Sequence, residues 1–212
     1  MQTFLVFTFL ASLSLLGMVS ASEPQGKAPD IKGKRVAILA TDGFEQSELE
    51  LPRKALDNAG AKTTLVSLQA GAIRGWKDKD WGNSVAVDIT IDEVNTVQFD
   101  ALLLPGGVIN PDKLRMNPKA VQFVKDFADQ GKPIGAICHG PWTLVEAGVV
   151  KGRRMTSWPS LKTDIQNAGG KWEDAEVVCD RGLVTSRKPD DIPAFNRKLI
   201  EEIAEGIHSQ KK

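Results

Sequence analysis

Short apolar runs alternate with helix-type segments along most of this chain. Arg35–Ala40, Asp100–Pro105 and Pro133–Cys138 are short and apolar, as buried strands are. Lys119–Gln130, which lies between the second and third of these runs, has apolar residues at helical spacing. Strands that alternate with helices build a parallel sheet with helices on both faces. The sequence therefore predicts an α/β fold, a doubly wound, mostly parallel sheet in a single domain, which suits a length of 212 residues.

Glycine, proline and aspartate mark the limits of the other predicted elements. Pro52 predicts a kink or a restart within the helix Glu45–Asn58. Gly71–Asn83, which is rich in Gly and Asp, predicts a loop. The remaining predicted elements are the strands Thr63–Leu68 and Val85–Ile91, the hairpin strands Glu176–Cys179 and Leu183–Ser186, and the helices Gly140–Ala147, Leu161–Ala168 and Asp191–Ile207.

The first residues of the chain differ from the rest. Residues 1–21 are uncharged and mostly apolar, and they end in a small-x-small pattern at Ala21, which is typical of a secretory signal peptide. An uncleaved membrane anchor is the alternative. The sequence predicts an exported protein, periplasmic or secreted, with a linker at 22–33, a folded domain at 34–207 and a polar tail at 208–212.

Charge and cysteine content limit the partners and the bonds to be expected. Lys+Arg and Asp+Glu both count 27, so neither nucleic acid nor an anionic membrane is indicated as a partner. The spacing of Cys and His predicts no metal site, and no cofactor is indicated. Cys138 and Cys179 could form a disulfide in an exported protein, but the residues around Cys138 favour a free thiol.

Cys138 is placed as a nucleophile would be. The small residues Ala136 and Gly140 stand two positions before and after it, as in the tight strand-to-helix turn of a nucleophile elbow. Such a turn exposes the side chain at the edge of the sheet and at a helix N-terminus, which lowers the pKa of a thiol. We expect a reactive and unusually acidic Cys138, with a buried structural cysteine as the alternative.

Two neighbouring side chains are candidates for proton transfer. His139 could act as the base for the thiol, contact the oxyanion or the substrate, or face solvent at the start of a helix. Glu45, which follows the first strand, could donate a hydrogen bond to the sulfur if burial keeps it protonated. Glu45 could equally be an acidic residue that the dipole favours at a helix N-terminus.

A glycine pair supplies a third part of the predicted site. Gly106–Gly107 follows a buried strand and offers unobstructed N–H groups that would suit an oxyanion hole, although a plain turn is the alternative. Sites in such folds form beyond the carboxyl ends of the strands, so we expect this turn to meet Cys138 and Glu45. Asn-Pro-Asp at 110–112 predicts an exposed loop, in which Asp112 lies at the surface or in an interface.

These segments occur together in one family. The chain resembles the PfpI family, the intracellular-protease branch of a superfamily that includes the parkinsonism-associated protein deglycase. The matching segments run in order across the predicted domain. They are Asp42–Glu45, Leu104–Gly107, Ala136–Pro141, Asn167–Gly169, Asp174–Val178 and Val184–Arg187.

The resemblance implies a fold and a set of site residues. The fold would be flavodoxin-like and similar to class I glutamine amidotransferase domains. Cys138 would be the nucleophile, with His139 beside it and Glu45 donating to the sulfur. Asp112 would reach the histidine of a neighbouring subunit, which implies a homo-oligomer, a dimer or a hexamer. Trp158 stands near the site where the archaeal proteases carry a tyrosine.

The resemblance also implies peptidase, cofactor-free glyoxalase or deglycase activity. All three place an electrophilic carbonyl at the thiolate, so the substrate would be a small aldehyde, a glycated protein or a peptide. The alternative is a redox sensor or stress chaperone whose cysteine is oxidised without turnover. A glutaminase is disfavoured because it needs a histidine downstream of the cysteine, and only His208 follows His139.

Overall fold

The computed structural model describes residues 29–208. The strands are β1 (Arg35–Leu39), β2 (Phe44–Glu45), β3 (Lys62–Ser67), β4 (Ala72–Lys77), β5 (Asp80–Ala86), β6 (Ile89–Thr90), β7 (Ala101–Leu104), β8 (Ile134–Ile137), β9 (Arg154–Met155), β10 (Lys171–Trp172), β11 (Val177–Asp180) and β12 (Leu183–Ser186). The α-helices are α1 (Gln46–Asn58), α2 (Ile109–Arg115), α3 (Pro118–Asp129), α4 (Pro141–Glu146), α5 (Lys162–Asn167) and α6 (Ile192–Glu205).

Seven strands form the central sheet in the order β11-β12-β8-β7-β1-β3-β6. All neighbouring pairs are parallel except β11 and β12, which form the predicted antiparallel hairpin. The predicted α/β fold with a mostly parallel sheet is therefore confirmed. The central strands β1, β7 and β8 carry continuous apolar residues because both of their faces are covered.

The alternation of side chains along β1 divides the core into two layers. Val36 and Ile38 face one side of the sheet and pack in the cluster that includes Phe195 of α6 and residues of α1. Ala37 and Leu39 face the other side and pack with residues of α3 and α4. Each layer fixes helices against the sheet, and the sheet in turn fixes the loops at its carboxyl edge.

Helix α1 continues through Pro52, so the predicted restart at this proline is wrong. Pro52 is buried, and Leu49 and Leu56 on either side of it are at most 1% exposed. Packing of this face on the sheet stabilises the helix despite the N–H that proline lacks.

The predicted loop Gly71–Asn83 is instead a hairpin. Strands β4 and β5 pair antiparallel with an irregularity between Arg74 and Trp76, and β4 also pairs with β2. Trp76 and Trp81 meet edge to face across the hairpin with ring centroids 5.5 Å apart. This cross-strand pair stabilises strands whose Gly and Asp content indicated a loop.

Helix α2 replaces the predicted exposed loop at 110–112. Asn110 has no exposed surface and Pro111 is also buried, whereas Asp112 is exposed in the first turn of the helix. The polar composition of this segment therefore did not predict its burial, because Asn110 lies inside the molecule.

Both ends of the described chain pack closely on the domain. Ile31, in the predicted linker, is 1% exposed, and its N–H donates to the carbonyl of Ala59 at 3.1 Å. The N–H of His208, in the predicted tail, donates to the carbonyl of Gly131 at 2.8 Å. The structure thus extends the folded part beyond 34–207 at both ends.

We expect Phe195→Ala to lower the free energy of unfolding by about 3–5 kcal/mol, since a fully buried aromatic ring is removed where α6 meets the sheet. Ile207→Ala, at a side chain that is 73% exposed, should change it by less than about 0.5 kcal/mol. Urea unfolding of both variants measures this. A loss below about 1 kcal/mol for Phe195→Ala would contradict the packing described for α6.

Candidate active site

The carboxyl ends of β1, β7 and β8 bring the predicted site segments together. Strand β7 lies between β1 and β8 in the sheet and leads into Gly106. Strand β8 leads directly into Cys138, and the chain after β1 turns back to begin α1 at Glu45. The structure therefore confirms that these three segments meet at the carboxyl edge of the parallel sheet.

Cys138 occupies a sharp turn with a φ of 61°, a conformation that a non-glycine residue rarely adopts. Its N–H donates to the carbonyl of Ser186 at 3.0 Å, and its carbonyl accepts from the N–H of Trp158 at 2.8 Å. Cys138 is 7% exposed, and both it and Cys179 are free thiols, as expected. Its backbone is thus fixed on both sides in the geometry of a nucleophile elbow.

The carboxyl group that faces the sulfur belongs to Glu48, not to Glu45. Glu48 has no exposed surface and hydrogen-bonds with the thiol of Cys138. Glu45 is the N-cap of α1, and its carboxylate accepts from the N–H of Glu48 at 2.9 Å and from the hydroxyl of Ser47 at 2.5 Å. The predicted role of Glu45 at the sulfur is therefore wrong, because its side chain is committed to capping the helix.

Burial raises the pKa of Glu48 to about 8, with a further contribution from the negative charge of Glu45. Its Oε2 accepts from the N–H of Gly106 at 2.9 Å. Its Oε1 is buried and has no well-aligned hydrogen-bond partner. A carboxyl group that is protonated at neutral pH and lies against the thiol can donate a hydrogen bond to a sulfur anion, as was expected of Glu45.

The environment of the thiol differs from the predicted one. Burial raises the pKa of Cys138, and the charge of Glu48 raises it further when that carboxyl is ionised. The N–H groups of Gly107 and His139 act in the opposite direction by donating to the sulfur. The prediction of a thiol made acidic by the helix N-terminus is thus contradicted, since loss of hydration dominates at this site.

His139 lies beside the sulfur in the orientation of a proton acceptor. Its Nδ1 is 3.2 Å from Sγ of Cys138, and its Nε2 is 3.4 Å from the hydroxyl of Ser160. Burial lowers the pKa of His139, which favours the neutral ring. If Nε2 carries the proton toward Ser160, Nδ1 is left as an acceptor for the thiol proton.

Aromatic rings fix the imidazole in place. The ring of Trp158 stacks on that of His139 at a centroid distance of 5.9 Å and an interplanar angle of 24°. Trp142 meets His139 edge to face at 5.3 Å. Trp158, which is 39% exposed, thus lies beside the reactive pair of Cys138 and His139, near the site as the resemblance implied.

The N–H groups of Gly106 and Gly107 have different partners. The N–H of Gly106 is directed to Glu48, so it is not available to an oxyanion. The N–H of Gly107 is directed to the sulfur of Cys138. Gly107 has a φ of 78°, and a Cβ there would lie 2.7 Å from the nitrogen of Glu45, so only glycine fits. The N–H of Gly107 therefore lies beside the sulfur, whereas that of Gly106 is occupied by Glu48.

Asp112 is not brought to His139 within the monomer. It is exposed on α2, and the two ring nitrogens of His139 face Cys138 and Ser160 of the same chain.

The sequence analysis did not predict two residues of the site, Glu48 and Ser160. The spacing of Glu45 and Glu48 was an available signal, since the first residue of such a pair often caps the helix that buries the second.

Within residues 29–208, one group has the spacing of metal ligands. Glu202, Glu205 and His208 place their donor atoms within 4.8 Å of one another, near Gly131 at the opposite edge of the sheet from Cys138. The Nζ of Lys198 already contacts Glu202 at 2.9 Å, so this group is readily explained as an ion-pair network.

Two relatives from bacteria are similar over most of this chain. The Escherichia coli "Protein/nucleic acid deglycase 2" is 46% identical over 168 residues, which span 79% of this chain and 96% of the relative. "General stress protein 18" of Bacillus subtilis is 47% identical over 169 residues, with the same two coverages.

The comparisons contradict the predicted export. The two relatives are named as a deglycase and a general stress protein, and these names do not support export of this chain. Residues 1–28, on which this prediction rested, lie outside the described part of the chain. Among residues 29–208, no helix is long and apolar enough to cross a membrane.

A solved structure with a DJ-1/ThiJ/PfpI-like domain has a similar fold. A two-domain protein of Anabaena variabilis with DJ-1/ThiJ/PfpI-like and ferritin-like domains superposes with a TM-score of 0.76 at 34% identity, covering 80% of this chain and 48% of that one. Residues 34–202 match the DJ-1/PfpI family. The resemblance found in the sequence and the PfpI-type enzyme class that it implied are thereby confirmed: this chain belongs to the DJ-1/PfpI family.

Proposed function

We propose that this protein is a cysteine-dependent deglycase that acts on carbonyl adducts of protein amino groups. The observation that carries the proposal is the free thiol of Cys138 in a strained turn, with the buried carboxyl of Glu48 on one side and the imidazole of His139 on the other. A relative of 46% identity bears the name of a deglycase. A glycated protein would thus be the substrate, with small aldehydes as simpler substrates of the same chemistry.

The groups around the sulfur support one chemical step in particular. Sγ of Cys138 forms a bond to the electrophilic carbonyl carbon, while the thiol proton passes to Nδ1 of His139, 3.2 Å away. The electron pair of the carbonyl double bond moves to its oxygen. The N–H groups of Gly107 and His139, which point to the sulfur in the free site, are the donors near enough to bind that oxyanion.

Glu48 acts on the sulfur before the substrate arrives. Its protonated carboxyl donates to the developing thiolate, which offsets part of the lost hydration without adding a second negative charge. An ionised carboxylate at this position would instead oppose formation of the thiolate. The proposal therefore makes the proton of Glu48 a requirement for reactivity.

We expect Cys138→Ser to abolish turnover of methylglyoxal and of a methylglyoxal-modified peptide, with casein included as a test for peptidase activity. Cys179→Ser is the matched control and should keep its activity, because Cys179 lies on β11 away from the site. Product formation by purified wild type and both variants measures this. A wild type that turns over no member of the panel, although Cys138 oxidises readily, would favour the redox sensor or chaperone instead.

The raised pKa of Glu48 predicts a pH-dependent stability. A carboxyl group with a pKa of about 8 when folded and 4.5 when unfolded binds more protons in the folded state between these values. Its stabilising contribution is complete below the unfolded value and is lost as the pH rises through about 8, with a slope of up to about 1.4 kcal/mol per pH unit.

Glu48→Gln removes that contribution, so the stability of the wild type relative to this variant should fall as the pH rises from 5 to 8. Urea unfolding at several pH values measures the difference. Glu45→Gln, which removes the capping carboxylate, should keep a falling profile that ends at a lower pH than in the wild type, because the charge of Glu45 helps to raise the pKa of Glu48. Parallel stability profiles for wild type and Glu48→Gln would show that Glu48 is ionised in the folded protein.

We also propose that Asp112 acts across a homo-oligomer interface, because it is exposed on α2 and the ring nitrogens of His139 in its own chain face Cys138 and Ser160. Asp112→Ala should lose activity without unfolding, and mixing it with Cys138→Ser should restore part of it. A mixed dimer has one site with an intact Cys138 and a borrowed Asp112. An inactive mixture after confirmed subunit exchange, or a fully active Asp112→Ala, would refute the shared site.

A further inference from the structure

Asn110 joins three parts of the site without touching the sulfur. It is the second residue of α2 and has no exposed surface. Its Oδ1 accepts from the N–H of Thr41 at 2.8 Å, and its Nδ2 donates to the carbonyls of Pro105 at 2.9 Å and of Gly106 at 3.1 Å. These partners fix which way the amide points, since the N–H needs an oxygen and the carbonyls need a nitrogen.

We propose that Asn110 is a positioning residue that holds the N–H of Gly106 toward Glu48 and the N–H of Gly107 toward Cys138. The proposal rests on the proposed function only in that it treats Cys138 as the reactive group. It assigns to Asn110 a role through the backbone, not through contact with substrate.

The geometry of the peptide unit supports this role. The described chain contains no cis peptide bond, so the C=O and N–H of each peptide unit point in opposite directions. Nδ2 of Asn110 holds the two carbonyls on one side of the turn. On the other side, the N–H of Gly106 reaches Oε2 of Glu48 at 2.9 Å and the N–H of Gly107 reaches the sulfur of Cys138.

The glycine turn needs such an anchor. Glycine restricts its own backbone less than any other residue, and Gly107 already has a φ of 78°. A Cβ at Gly106 would lie 2.7 Å from that of Cys138, so no side chain could replace the glycine and stiffen the turn. The orientation of both N–H groups therefore has to be set from outside, and Asn110 binds both carbonyls of the turn.

A second contact shows how the anchor joins the sheet edge to the site. The carbonyl of Gly106 also accepts from the N–H of Glu45 at 3.2 Å. Thr41, the other partner of Asn110, follows the end of β1 and is 7% exposed. Asn110 thus connects α2 to the loop after β1 and to the turn after β7. The carbonyl of Gly106 extends this connection to the start of α1.

The test compares alkylation of Cys138 by iodoacetamide across pH in wild type, Asn110→Ala and Asn110→Leu, of which the last has the same number and branching of side-chain heavy atoms as asparagine. Loss of the directed N–H of Gly107 should move the midpoint of the alkylation profile upward by about one pH unit. In the deglycase assay, kcat should fall about tenfold while KM stays nearly unchanged. Alkylation needs no substrate, so its shift stands even if the wild type proves not to be a deglycase.

Asn117→Ala is the matched control, because Asn117 caps α3 just beyond α2 through hydrogen bonds to the N–H groups of Lys119 and Ala120. It should lower stability but leave the alkylation profile in place. A profile for both Asn110 variants that matches the wild type, or that moves no further than that of Asn117→Ala, would overturn the proposal. Failure of both Asn110 variants to fold would also overturn it, since Asn110 would then serve the stability of the fold.

Discussion

A buried carboxyl group and a buried thiol face each other at the carboxyl edge of the sheet, and the chemistry of the site depends on this pair. Burial raises the pKa of both Glu48 and Cys138, and the charge of an ionised Glu48 raises that of Cys138 further. One proton between them is the arrangement that serves catalysis, with the carboxyl protonated and the sulfur able to become an anion.

The fold holds this pair by fixing backbone on three sides. Cys138 follows a strand in the middle of the sheet, in a turn at positive φ whose backbone is hydrogen-bonded to Ser186 and Trp158. Glu48 lies in the first turn of a helix whose start is capped by Glu45. Gly107 brings a backbone N–H close to the sulfur at a place where any side chain would collide with the chain. The apolar layers on both faces of the sheet keep these three segments in register.

Local sequence was sufficient for the parts of the site that belong to one short segment. Cys138, His139 and the glycine turn follow from small residues at defined spacings, and the parallel sheet follows from the alternation of elements. Glu48 did not follow, because which of two acidic residues caps a helix and which enters the core depends on tertiary packing. Asn110 was missed for the same reason: a polar, proline-containing segment indicates a surface loop, and only the structure shows that its amide satisfies three buried backbone groups. The environment of the thiol was also misjudged, since a helix N-terminus is evident in sequence and the extent of burial is not.

The protonation of Glu48 is the central claim, and it can be measured directly. Carbon-13 labelling of glutamate side chains, with Glu48→Gln to assign the signal, allows the carboxyl carbon of Glu48 to be followed by NMR through a pH titration. The account predicts that this carbon titrates near pH 8 and that its midpoint moves when Cys138 is replaced by serine. A midpoint near the ordinary value of 4.5, unchanged in the Cys138→Ser variant, would contradict it.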